Sequence, residues 1–207
     1  METQKLNIAL RFDRDILQEI ADSVAEFKDI FETRYIVDNI ESIPHLTLYQ
    51  TLFPKKNVDG IIQALGDIAG NTTRFDLKFK TIKNNRSSIW AIFDKPAELT
   101  NLHLRVLEEV NPLREGLVEE QFAEDHPVYQ SLTVTPKKMI EKWGHPFVDQ
   151  MFDSHISLMK LVDRELVYAV INRLDWRIRE LPVTKIALYE SGEEGTCKDL
   201  IKEFELA

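Results

Sequence analysis

Two short phrases hold the residues best suited to chemistry: Pro44-His45-Leu46-Thr47-Leu48 and Ser154-His155-Ile156-Ser157-Leu158. Each reads histidine, apolar residue, hydroxyl residue, leucine. Such alternation predicts a strand, on which residues i and i+2 share a face. Each phrase then sets one imidazole beside one hydroxyl and turns its apolar residues to the core. Two such strands facing each other bring two imidazoles and two hydroxyls to one cleft. Imidazole titrates near neutrality, so one of the pair can remove a proton while the other gives one. The hydroxyls of Thr47 and Ser157 can donate hydrogen bonds to nonbridging oxygens as charge builds. That set suits acid–base chemistry on a bound phosphate. Tyr49, two residues past Thr47, falls on the same predicted face and is a pocket-lining residue or a core or rim tyrosine.

A lone His-x-Ser/Thr carries little information, because with five histidines in the chain one match is close to chance. Two matches in equivalent strand settings, each flanked by apolar residues, carry more. The remaining histidines lie elsewhere. His103 falls at the edge of the apolar face of a predicted helix and reads as a packed or surface histidine. His126 and His145 each precede a proline, which favours extended loop geometry, and both read as surface loop residues or cleft-rim residues. A metal site is the chief chemical competitor, with Asp153 on the face of His155 and Ser157. The chain offers no HxH, HxxxH or HExxH spacing and no cysteine pair to complete one. Gly-rich phosphate loops and the GxSxG elbow are absent. Cys197, the single cysteine, reads as an incidental thiol.

The elements that must position these residues follow from hydrophobic period and punctuation. Residues 6–12 predict a strand, and 13–27 a helix with Asp13 at its N-cap. Residues 43–52 predict the first motif strand, and 58–69 a helix closed by Gly70. Residues 75–82 and 88–93 predict a hairpin turning through Lys83-Asn84-Asn85-Arg86. The second half predicts a helix over 97–110, the second motif strand over 152–161, a helix over 164–174 and strands over 177–181 and 184–190. Residues 114–150 show only an amphipathic piece over 135–143. The strand–helix–strand order in both halves suggests a diverged duplication with lobes of roughly 1–96 and 97–207.

Composition bounds the rest. The 207 residues, 43% apolar, suffice for one large core or two small lobes. No stretch is long and apolar enough to span a membrane, and the first residues lack a signal-peptide pattern. With one cysteine and no internal disulfide, a reducing cytoplasmic setting is expected. A formal charge of −9 argues against coating long nucleic acid but leaves room for a small nucleotide in a locally basic cleft. By position, Arg11, Lys160, Arg86 and Lys83 are the candidate cations for that cleft.

Taken together, two His-x-Ser/Thr-apolar motifs half a chain apart resemble the signature of the 2H phosphoesterase superfamily, and within it the 2′-5′ RNA ligase and RNA 2′,3′-cyclic phosphodiesterase-like proteins. Phe75-Asp76-Leu77 with Ser88-Ile89-Trp90 resembles that family's middle hairpin. Leu188-Tyr189-Glu190-Ser191 with Phe204-Glu205-Leu206 resembles its closing strands. The resemblance implies a bilobal α+β fold of two pseudo-symmetric antiparallel sheets backed by helices, with the motif strands lining a central cleft. It implies metal-independent, cofactor-free phosphodiesterase chemistry on a 2′,3′-cyclic phosphate or a 2′-5′ linkage of a small nucleotide or RNA end. His45, Thr47, His155 and Ser157 take the catalytic positions; Tyr49, Lys160 and Arg11 are the candidate substrate contacts, and a monomer is expected. Two other readings remain: a module that binds a phospho-ligand in the same cleft without turnover, and a structural protein in which the motif strands are plain core.

Overall fold

A computed structural model, which describes residues 2–207, contains two antiparallel sheets. The first joins β1 (Thr3–Arg11), β3 (Leu46–Pro54), β8 (Lys185–Ser191) and β9 (Cys197–Glu205) in the order β3-β1-β8-β9. The second joins β2 (Thr33–Ile36), β4 (Phe75–Asn85), β5 (Ser88–Phe93), β6 (His155–Leu161) and β7 (Glu180–Val183) in the order β2-β6-β5-β4-β7. The motif strands β3 and β6 lie side by side where the two sheets meet. Central β1 is covered on both faces: Leu6, Ile8 and Leu10 join the large core, while Ala9 packs with Ala187, Tyr189 and Cys197 in a small cluster.

Helices α2 (Val58–Gly70) and α3 (Ala97–Val110) back the first sheet, α2 against β8 and β9 and α3 against β3. Leu99, Leu102, Val106 and Val110, the apolar face read from the sequence, are all buried. The short α6 (Val167–Ile171) packs on β4 and β5. The α+β class, the paired antiparallel sheets, the helical backing and the hairpin are therefore as expected.

Several boundaries differ. The first helix, α1 (Arg14–Asp22), stops early, because the Ser23 hydroxyl and N–H both turn back onto its last carbonyls. A 3₁₀ turn over Ala25–Asp29 then buries Phe27. Strand β2, four residues at a sheet edge, is too short to announce itself by alternation. The difficult region 114–150 is a chain of 3₁₀ turns with two helices, α4 (Pro127–Ser131) and α5 (Val134–Trp143), the second ended by Gly144 at φ +75°.

The division into lobes near residue 96 is corrected by the topology. Each sheet draws strands from both halves: β8 and β9 pair beside β1, and β4 and β5 pair beside β6. The pseudo-symmetry relates sheets rather than chain halves, with the series β3-β1-β8-β9 matching β6-β5-β4-β7 and β2 added beyond β6. Strand alternation is local and is readable from sequence; the partner of a strand is a long-range choice and is not.

Both motif strands carry a bulge at the same place. In β3, Ile8 pairs with Tyr49 and Ala9 with Thr47, so Leu48 is the extra residue. In β6, Ile89 pairs with Met159 and Trp90 with Ser157, so Leu158 is extra. A bulge shifts the alternation by one. The freed carbonyls find other donors: His103 Nδ1 donates to Leu48 at 2.8 Å, and the Val37 N–H donates to Leu158 at 2.9 Å.

Candidate active site

The two motif strands line one cavity of about 410 Å³, and His45, Thr47, His155 and Ser157 all form part of its wall. The approach to each motif is tied down. The Ile43 N–H donates to the Cys197 carbonyl at 2.8 Å, and the Phe93 N–H to the Ser154 carbonyl at 2.9 Å. Each imidazole then uses the carbonyl two residues earlier. His45 Nδ1 lies 2.7 Å from the Ile43 oxygen, and His155 Nδ1 lies 2.9 Å from the Asp153 oxygen. A carbonyl only accepts, so Nδ1 carries the proton and Nε2 is the accepting nitrogen. Burial holds both imidazoles below the ordinary histidine pKa, and His155 adds to the depression at His45.

The supports differ between the sheets. The buried Asn7 amide on β1 reaches Thr47 Oγ1 at 3.1 Å and His45 Nε2 at 3.4 Å, beneath the first motif. On the second sheet the Trp90 ring stacks on His155 with centroids 4.0 Å apart. The Tyr35 hydroxyl, from β2, sits against Ser157 and Ser88; burial raises its pKa and those two contacts oppose the rise.

The bulges decide the next residues along. Beyond Leu48 and Leu158 the strand phase is reversed, so Tyr49 and Met159 are fully buried while Gln50 and Lys160 line the cavity. Tyr49 is thus corrected from pocket to core: its hydroxyl donates to the Trp143 carbonyl at 2.6 Å and to Asn111 Oδ1 at 3.0 Å, and burial pushes its pKa up. Lys160 is in the wall, bound to Glu194 at 2.5 Å. Arg11 is corrected too. It lies outside the cavity wall, donating to the Tyr189 hydroxyl at 2.6 Å and pairing with Glu203 at 2.9 Å. Lys83 and Arg86 also lie outside that wall.

Sequence reading missed several lining residues. Tyr35 sits on the unread strand, and Trp90 was noted only as part of the hairpin. Gln50 carried a usable signal, since His-Leu-Thr-Leu-Tyr-Gln and His-Ile-Ser-Leu-Met-Lys place a polar residue five positions after each histidine. His145, a loop histidine by sequence, joins the wall with Phe147, Val148, Met151 and Phe152. Its Nδ1 accepts from the Phe147 N–H at 3.2 Å, opposite in tautomer to the motif histidines, and burial pushes its pKa down to about 3.

His103 fastens this wall. Its Nδ1 donates to Leu48, its Nε2 accepts from the Asp149 N–H at 2.8 Å, and its ring stacks on Phe152 at 3.9 Å. It is a packed histidine, and burial pushes its pKa to about 4. His126 caps α4, its side chain accepting from the Val128 N–H. Cys197 is buried, which raises its thiol pKa. Among the described residues no three His, Cys, Asp or Glu side chains converge to hold a metal ion, and no helix is long and apolar enough to cross a membrane.

A family model described as a protein of unknown function, DUF1045, matches residues 50–197. No curated protein matches the chain. Among solved structures, E. coli LigT in apo form aligns over 100% of this chain and 99% of its own, at 16% identity and a TM-score of 0.59. E. coli LigT complexed with 3′-AMP aligns over the same shares, also at 16% identity and a TM-score of 0.59. TT0787 of Thermus thermophilus aligns over 98% of this chain and 97% of its own, at 14% identity and a TM-score of 0.57. The resemblance to the two-histidine phosphoesterases thus holds at the level of the fold, which this chain shares from end to end.

Proposed function

The chain belongs to the DUF1045 family, and from that premise and its cleft we propose that it is a phosphodiesterase. It acts on a 2′,3′-cyclic phosphate or a 2′-5′ linkage of a small nucleotide or RNA end. The observation that carries the reading is the pair of equivalent imidazoles, His45 and His155, each oriented through Nδ1 and each beside a hydroxyl, in the wall of one cavity. Nucleotide recognition is supported by the aromatic rings of Tyr35, Trp90 and Phe147 along the same wall and by the 3′-AMP complex of the E. coli neighbour.

The chemistry then runs on the chain's own groups. A neutral imidazole takes the proton of the attacking water while the protonated one gives a proton to the departing ribose oxygen. Thr47 and Ser157 donate to the nonbridging oxygens, and the Tyr35 hydroxyl sits against Ser157. No step calls for a metal or an organic cofactor. Either histidine can serve as base, because both are oriented alike through Nδ1.

The test is turnover of a panel of 2′,3′-cyclic nucleotides and 2′-5′ dinucleotides in excess chelator. Cleavage of at least one class, undiminished by EDTA, is the expected result. Binding of the panel without turnover would make the protein a phospho-ligand module instead. Loss in EDTA with rescue by zinc or manganese would establish a metal-assisted route, with Asp153 the first added ligand to examine.

A further inference from the structure

The cavity wall holds three charged side chains besides its histidines: Lys160, Asp153 and Glu194. The single lysine is committed. Lys160 Nζ lies 2.5 Å from one Glu194 oxygen, and Arg34, from β2, lies 3.2 Å from the other. Glu194 therefore occupies both nearby cations with one carboxylate, and those contacts hold its pKa below the usual carboxylate value.

The loop is built to keep it there. Glu194 sits at φ +57°, in the left-handed region that costs a non-glycine residue about 1 kcal/mol or more. Gly195 follows at φ +80°, with a backbone so close to Gln50 that a Cβ would fall 3.0 Å from its Oε1. The Gly192 N–H closes the turn on the Thr196 carbonyl at 2.9 Å.

We infer that Glu194 sets the charge of the accepted ligand: the cleft takes a singly charged phosphodiester and disfavours a doubly charged phosphomonoester. This rests on the reading that a phosphodiester enters the cleft. A diester carries one negative charge, which neutral hydroxyl donors and a proton drawn onto one imidazole by the bound anion can meet. A monoester carries nearly two at neutral pH, since its second pKa is about 6. The second charge would call on Lys160, which Glu194 already holds, and would face the Glu194 and Asp153 carboxylates.

The consequence bears on turnover. Opening a 2′,3′-cyclic phosphate breaks one P–O(ribose) bond and forms one P–O bond to water. The ribose oxygen takes a proton, and the product monoester loses its second proton near neutrality. The ligand thus gains charge during the reaction, and Glu194 favours its departure.

A matched pair of ligands isolates that charge: 3′-AMP and its methyl diester, adenosine 3′-(methyl phosphate), share base and ribose and differ by one ionisation. A unit charge on the order of 10 Å away at an effective dielectric of about 20 changes affinity roughly tenfold. By calorimetry at pH 7.5, the wild-type protein should bind the diester more tightly than 3′-AMP, and Glu194→Gln, which removes one unit of charge and leaves Lys160 and Arg34 uncompensated, should move that ratio about tenfold toward 3′-AMP. The wild-type protein provides a second arm that no folding defect can obscure. At pH 5.5 both ligands are mostly monoanions, so the ratio should fall toward one, because protonation of the cleft acts on both alike. Tighter or equal binding of 3′-AMP at pH 7.5, a ratio unchanged by Glu194→Gln in a folded variant, a ratio constant between the two pH values, or no diester binding at millimolar concentration would each overturn the inference. Charge selection without cyclic-nucleotide turnover would overturn the phosphodiesterase reading alone.

Discussion

At the scale of single residues, the informative fact is the tautomer. Both motif histidines donate through Nδ1 to the carbonyl two residues earlier, whereas His145 accepts at Nδ1. Three imidazoles in one wall therefore divide into two with a basic Nε2 and one with a donating Nε2–H. Burial lowers the pKa of His45 and His155, and His155 adds to the depression at His45. The active form has one proton shared between two sites, and its population peaks between the two macroscopic pKa values. Both values lie below the ordinary histidine value of about 6.5, so kcat/KM should be greatest below about pH 6.5 and should fall as pH rises further. An optimum above pH 7, read from a kcat/KM profile, would contradict the depressed pair. Thr47→Ala and Ser157→Ala should each lower kcat by roughly 10–10³-fold, as loss of one donor to the developing charge.

At the scale of elements, the twin bulges set which side chains reach the cleft. Strict alternation puts Tyr49 in the pocket; the extra Leu48 moves it to the core and brings Gln50 in. Tyr49→Phe should therefore cost about 1–2 kcal/mol by stranding the Trp143 carbonyl, with kcat/KM within about twofold of wild type. Gln50→Ala should lower kcat/KM with little change in stability. Kinetic damage in Tyr49→Phe, measured beside its urea unfolding curve, would show the phase to be wrong. His103 secures the first bulge and the Phe152 wall together. Its folded pKa of about 4 lies below the unfolded value of about 6.5, so the unfolded chain binds more protons between those limits. Stability is full above about pH 6.5 and falls by about 3 kcal/mol as pH drops to about 4. Denaturation at several pH values should show that slope in the wild type and a shallower slope in His103→Gln. An equal slope would assign the acid lability to other groups.

At the scale of the molecule, what the sequence made legible was local. Period-2 alternation located both motif strands and the hairpin, and the paired motifs marked the residues that share the cavity wall. Three things were not legible for physical reasons. Strand partners are long-range, so the sheets interleave chain halves. A one-residue bulge leaves no mark on alternation until the partner strand is known. Ion pairing across the fold turned the expected basic cleft into one whose lysine is already neutralised. With a net charge of −9 and so few free cations at the site, ligand affinity should depend weakly on salt, with a log–log slope of about −1 to −3. Turnover should be nearly independent of oligonucleotide length. A steep slope together with a rise in kcat/KM with length would reveal an extended binding surface, to be sought first in residues 114–150.

The central claim, that His45 and His155 form one acid–base pair, is tested most directly by kcat/KM for a 2′,3′-cyclic nucleotide in His45→Ala, His155→Ala and the double variant. Each single change should lower it by roughly 10²–10⁴-fold while the melting curve stays cooperative. The double variant should fall little further, because a pair that works as a unit is lost with either member. Near-wild-type turnover in either single variant, or losses that simply multiply in the double variant, would contradict the pair.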